Sequence, residues 1–288
     1  MKRDALKLIQ AARPAFWAYT GGAYVVGALF GAILLESHNA SFNFSLPLLL
    51  FFLWFLVGEN VFGLLMNDYF DRENDRLNPR KVAAGALFQD RLFVHYWCAI
   101  WISLAAFALL IIWSGSVMLL SYGAVLVAFN ILYNVPPMRL KGRSPFDLLV
   151  GPASFIPPLL AGYSIVTGAW PTPWALAALF CWFAAFELFD KILDASADAV
   201  GGVRTTAVAL GARRSIFLCA GLFVASAALV AAFAPGLLAL AALLPAALPL
   251  SLLHRDEASY PDMFRTLPLW YVAFGFVVTS WLMFEYFH

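Results

Sequence analysis

Two groups of aspartates are spaced for shared work. In Asn67-Asp68-Tyr69-Phe70-Asp71-Arg72-Glu73-Asn74-Asp75 they recur at i, i+3 and i+7, and in Glu187-Leu188-Phe189-Asp190-Lys191-Ile192-Leu193-Asp194-Ala195-Ser196-Ala197-Asp198 at i, i+4 and i+8. On a helix, each set shares one face. Carboxylate oxygens in two such sets suit a hard divalent cation, and Mg2+ is usually held by few carboxylates together with the phosphates of a substrate. For either set alone, solvated acids at an interface are an equal alternative; two matched sets favour a site. The first face extended backwards reaches Leu64 and Asn60, so Asn60 is a candidate to line the site. Glu59 is expected to be rotated away, about a quarter turn from Asn60.

Both sets close apolar runs, which is where the elements that position them must be sought. The chain has 288 residues, 63% hydrophobic and 12% charged, with a net charge of +1 and a mean hydropathy of +0.82. That balance describes a polytopic membrane protein and gives no case for nucleic acid. Apolar runs long enough to cross a core of about 30 Å read at 14–35, 46–66, 92–113, 117–133, 146–167, 173–193, 215–234, 236–253 and 267–287. The expectation is an all-α, single-domain bundle over 1–288 with nine transmembrane helices, preceded by an amphipathic lead at 1–12. Pro245 and Pro249 predict a kink in the eighth helix. All 18 basic residues fall before helix 1 or at the 2–3, 4–5, 6–7 and 8–9 connections, which places the N-terminus and both acidic sets on the cytoplasmic side. Each acidic set follows the second helix of a group of four, consistent with two four-helix halves and an appended ninth helix.

The remaining segments supply cations and turns. Arg13-Pro14 opens helix 1, where Arg13 either snorkels to lipid headgroups or meets an anion at the mouth. Arg76-Leu77-Asn78-Pro79-Arg80-Lys81 is a basic loop after the first set. Tyr133-Asn134-Val135-Pro136-Pro137-Met138-Arg139-Leu140-Lys141-Gly142-Arg143 has a double proline that fixes where its cations point, and those cations suit phosphate oxygens. Gly201-Gly202-Val203-Arg204 ends the second set, and Arg204 either reaches a phosphate or neutralises Asp198. Arg72, inside the first set, is counted with the residues that bind the substrate. Cys98, Cys181 and Cys219 lie in apolar runs without metal-ligand spacing and read as small packing residues. Asn39-Ala40-Ser41 and Asn43-Phe44-Ser45 match a glycosylation acceptor, a weak pattern.

Taken together, Asn67-Asp68-x-x-Asp71-x-x-x-Asp75, then Tyr133 with Pro136-Pro137-x-Arg139-x-Lys141, then Asp194-x-x-x-Asp198 followed by Arg204-Thr205-Thr206 resemble the UbiA superfamily of intramembrane prenyltransferases, from Arg13 to about Arg214. The resemblance implies an isoprenyl diphosphate bridged by two Mg2+ ions to the aspartates. Asp68, Asp71 and Asp75 would serve one ion, Asp194 and Asp198 the other, with Asp190 an extra member. Asp68, Asp71, Asp194 and Asp198 would carry catalysis; Asn67 would support the first set, and Arg139 and Lys141 the diphosphate. Tyr133 and Tyr69 are the aromatic residues nearest the motifs. The segments 13–19, 75–81 and 194–198 are more similar to the carotenoid branch, the lycopene elongases, which implies a dimethylallyl unit passed to the end of a polyene. A quinone precursor or tetrapyrrole alcohol as acceptor, terpene cyclisation and cation-coupled transport are the other readings. The implied setting is a bacterial or archaeal cell membrane.

Overall fold

The computed structural model describes residues 2–37, 45–78, 81–82, 87–233 and 236–287. The two acceptor patterns around Asn39 and Asn43, and Pro79 and Arg80 of the basic loop, lie outside them. Among the described residues there is no named strand: the elements are helices and turns, with one isolated bridge between Arg143 and Arg204.

The helices follow the apolar runs closely. They are α1 (Lys2–Ala11), α2 (Pro14–Ser37), α3 (Leu46–Asp75), α4 (Phe93–Ser114), α5 (Val117–Asn134), α6 (Phe146–Thr167), α7 (Pro173–Val200), the short α8 (Thr206–Leu210), α9 (Ala212–Phe233), α10 (Leu237–Leu243), α11 (Ala247–Ser251) and α12 (Leu267–Phe287). Side-chain oxygens of Ser116, Thr172 and Thr205 accept from the first free amides of α5, α7 and α8, and Gly115 at φ +60° ends α4 in the left-handed conformation that glycine takes without strain. Among the described residues, six helices are long and apolar enough to cross a membrane, and two apolar stretches, 238–254 and 272–284, are shorter. The expectation of nine spans goes further than this. The expected kink in the eighth run is present as a break: 3-10 turns at Leu244–Ala246 and Leu252–His254 interrupt it beside Pro245 and Pro249.

Close packing in lipid depends on small residues rather than on hydrophobic expulsion. The α2–α6 seam shows this. A Cβ at Gly27 would overlap the Leu159 carbonyl oxygen, and one at Gly162 would overlap that of Tyr24, so the two backbones touch.

α3 is one 30-residue rod with a π turn at Trp54–Gly58. Trp54 stacks on Phe107 at 3.7 Å between ring centroids and donates Nε1–H to the Ser103 carbonyl, 3.0 Å. The Ser103 hydroxyl donates to the Gly58 carbonyl, 2.7 Å, satisfying an acceptor at the altered turn. A Cβ at Gly58 would lie 2.5 Å from Trp54 Nε1. Glu59 is the next residue.

Candidate active site

α3 and α7 turn their acidic faces to one cavity of about 520 Å3. From α3 come Glu59, Asn60, Gly63, Leu64, Asn67, Asp71, Asn74 and Asp75; from α7 come Phe183, Glu187, Asp190, Lys191, Asp194 and Asp198. Steps of three and four residues put each row on one helix face. Arg139 and Lys141, on the α5–α6 connection, close the wall between them.

The first acidic face is held by cations. Lys141 is buried, and its ammonium pairs with Asp71 Oδ2 at 2.7 Å while donating to Asn67 Oδ1 at 2.9 Å and Asn134 Oδ1 at 2.8 Å. Burial lowers that ammonium to about 8, with Asp71 working against the shift. Arg139 donates to Asp71 Oδ1 at 2.8 Å, and Lys81 to Asp75 Oδ1 at 2.6 Å. Arg13 pairs with Asp68. Arg13 and Arg139 both take positive φ, +49° and +40°, a conformation uncommon for a side-chain-bearing residue and frequent at functional sites.

On α7 the partners are nearer in sequence. Lys191 pairs with Glu187 at 3.2 Å, one turn away, and donates to the Tyr133 hydroxyl at 3.0 Å. That hydroxyl donates in turn to Glu187 Oε1. Behind them the buried Asp147 accepts from Thr206 N at 2.7 Å and Thr206 Oγ1 at 2.5 Å, fixing the loop after α7 to the start of α6.

Most of the expected site is therefore brought together: Asp71, Asp75, Asp190, Asp194, Asp198, Asn60, Asn67, Tyr133, Arg139, Lys141 and Arg13 all line the cavity. Three residues are placed elsewhere. Asp68 is buried against Arg13 and is not in the cavity wall. Arg72 donates to its own turn, Tyr69 O at 2.8 Å, with its guanidinium 4.6 Å from the Tyr69 ring centroid. Arg204 is exposed and bridges Arg143 through the backbone. Conversely, Glu59 lines the cavity, contrary to the expected rotation, because the cavity spans more than the 100° between adjacent helix positions. Glu187 and Lys191 were not singled out as site residues, although Glu187 stands three residues before Asp190 on the same face.

The donor set fits Mg2+: it is all oxygen, and Asp75 Oδ2 is buried with no hydrogen-bond partner. Among the described residues, no three acidic, histidine or cysteine side chains are gathered closely enough to hold a metal ion alone. Few carboxylates sharing an ion with phosphate oxygens is the matching arrangement.

A second cavity of about 440 Å3 is lined almost wholly by apolar residues, among them Val26, Phe30, Trp182 and Phe274, and shares Tyr19 and Phe183 with the first. The Tyr19 ring meets Phe155 and Phe183 edge-on, at centroid distances of 5.8 and 6.4 Å.

A helical membrane bundle with a polar, cation-lined cavity beside an apolar one, Tyr19 and Phe183 lining both, has the surfaces to handle a lipid-like molecule with an anionic head. Comparison with known proteins gives the family. Residues 24–263 match the UbiA prenyltransferase family. A lycopene elongase/hydratase of Halobacterium salinarum is 30% identical, covering 76% of each chain. One of Haloferax volcanii is 33% identical, covering 76% of this chain and 70% of that one. Among solved structures, a UbiA homologue from Archaeoglobus fulgidus bound to GPP and Mg2+ aligns with a TM-score of 0.65 at 21% identity, over 95% of this chain and 99% of that one; the same homologue bound to DMAPP and Mg2+ gives 0.63. The chain belongs to the UbiA prenyltransferase family, and it is an intramembrane prenyltransferase.

Proposed function

We propose that this protein transfers a dimethylallyl group from its diphosphate to the end of a carotenoid such as lycopene, at a Mg2+-dependent site that opens to the cytoplasm, within one domain. The observation that carries the reading is the pair of adjacent cavities, one polar and cation-lined and the other apolar, with Tyr19 and Phe183 lining both, in a chain whose relatives at 30 and 33% identity are lycopene elongase/hydratases.

Asp71 and Asp75 with Asn67 would hold one ion and Asp194 and Asp198 the other, with Asp190 beside them. Bound there, Mg2+ would neutralise the diphosphate as its carbon–oxygen bond breaks. Lys141 and Arg139 carry fixed positive charge to the same place, where the leaving group gains negative charge. Tyr133, whose ring lies 5.8 Å from Lys141 Nζ and 5.4 Å from Lys191 Nζ, is held by Glu187 at the wall. Beyond it, Tyr19, Phe155 and Phe183 present aromatic surface where the polar and apolar cavities meet. Aromatic faces stabilise an allylic cation and admit no water to quench it. The apolar cavity then receives the end of the polyene, whose electron-rich double bond attacks the cation.

A quinone precursor is the second reading: 4-hydroxybenzoate octaprenyltransferase of Shewanella baltica is 27% identical, over 58% of this chain and 57% of its own. Expression in a bacterial host that accumulates lycopene separates the two. Pigments heavier by one or two five-carbon units support the carotenoid reading, and unchanged lycopene beside well-expressed protein contradicts it.

A further inference from the structure

Glu59 is a buried acid in the apolar part of α3, directly after the π turn, and is not used by the scheme above. It lines the polar cavity, and its Oε2 is buried without a hydrogen-bond partner. The next residue, Asn60, is hydrogen-bonded instead: it donates to Thr20 Oγ1 at 2.6 Å, and Thr20 donates to the Phe55 carbonyl at 2.7 Å. Tyr19 lines the same cavity and also the apolar one beside it. An ionisable group at such depth is costly to keep and marks a working site, and π turns within helices are frequent at such sites.

We infer that Glu59 is the base that accepts the proton when the reaction is terminated; the inference rests on the prenyl-transfer reading. The bond between the allylic carbon and the diphosphate oxygen breaks, and the diphosphate keeps the electron pair. The π pair of the acceptor double bond forms the new carbon–carbon bond and leaves a tertiary cation. That cation is neutralised either when an adjacent C–H pair becomes a new double bond or when the lone pair of a water forms a C–O bond. In both cases one proton is released, and Glu59 takes it.

The test uses purified full-length protein in lipid vesicles with lycopene, dimethylallyl diphosphate and Mg2+, comparing wild type, Glu59→Gln and Glu59→Asp. Glu59→Gln should lower kcat by about a hundredfold or more, the scale of lost general-base catalysis, with donor KM changed less than about threefold. Glu59→Asp should recover part of that loss, and the thermal midpoint of both variants should match the wild type. Diphosphate release without acceptor should be equal in all three, since ionisation precedes the proton transfer. A kcat for Glu59→Gln within about threefold of wild type overturns the inference. So does a parallel loss of acceptor-free diphosphate release, which would make the residue structural. Absence of carotenoid product from the wild type would instead contradict the prenyl-transfer reading itself.

Discussion

The acidic face of α3 is crossed by cations from three other segments, Arg13, Lys81 and the Arg139–Lys141 turn, whereas Lys191 of α7 faces an acid on its own helix. The first face thus depends on tertiary structure: its carboxylates are neutralised only when the N-terminal segment and two connections are in place. The second is organised largely by helical spacing, with the Asp147–Thr206 latch fixing the loop that follows the helix. An incoming Mg2+–diphosphate would therefore compete with the protein's own cations at α3, and Arg139 and Lys141 are placed to turn from carboxylate to phosphate as it binds. Such a change keeps each buried charge paired throughout.

Removing one acid from each face is the strongest way to break this comparison. Asp71→Ala and Asp194→Ala should each reduce turnover on the order of a thousandfold, the scale of losing a preorganised charge-stabilising group, while the protein still extracts as a folded monodisperse species. Loss at only one position would mean that a single face does the work. Lys141→Ala comes next, with kcat/KM for the donor falling by about a hundredfold and Arg139→Ala by about tenfold, since Lys141 spans Asp71, Asn67 and Asn134 whereas Arg139 reaches Asp71 alone. Equal effects on acceptor KM would make the turn structural. Asp68→Ala should cost only about tenfold, by freeing Arg13, and less than Asp71→Ala by a wide margin; equal losses would place Asp68 among the ligands after all. Thr206→Val should lower stability by about 1–3 kcal/mol, read as a lower thermal midpoint, because the buried Asp147 loses a donor, while turnover of the folded fraction persists. Arg72→Ala should change turnover less than about twofold, as its guanidinium serves only its own turn.

How much of this could be read beforehand follows from the range of the interactions. Helical spacing groups Asp190, Asp194 and Asp198, which all line the cavity, and apolar runs located the long helices, because both are local properties. The α3 face was harder. Asp68, Asp71 and Asp75 satisfy a shared face, but Asn67, Asp71, Asn74 and Asn78 satisfy a neighbouring one, and only the position of α7 decides which of them meets the cavity. For that reason Asp68 stands outside the cavity lining and Glu59 within it. Arg72 and Arg204 were chosen by proximity in sequence to acids, yet on a helix the residue after Asp71 points 100° away, and Arg204 is exposed and absent from the cavity lining. The Tyr133–Glu187–Lys191 network joins positions 54 or more residues apart in two of its three links, beyond what spacing encodes. Arg139 and Lys141 were legible through the resemblance and the proline-stiffened turn.

The central claim is that both acidic faces act together on a metal-bound allylic diphosphate. Purified protein in lipid vesicles with lycopene and radiolabelled dimethylallyl diphosphate tests it most directly, with Mg2+ or with a chelator, for the wild type, Asp71→Ala and Asp194→Ala. Label should enter the carotenoid only in the wild type and only with Mg2+. Transfer in the presence of chelator, or comparable transfer by either variant, would contradict the account.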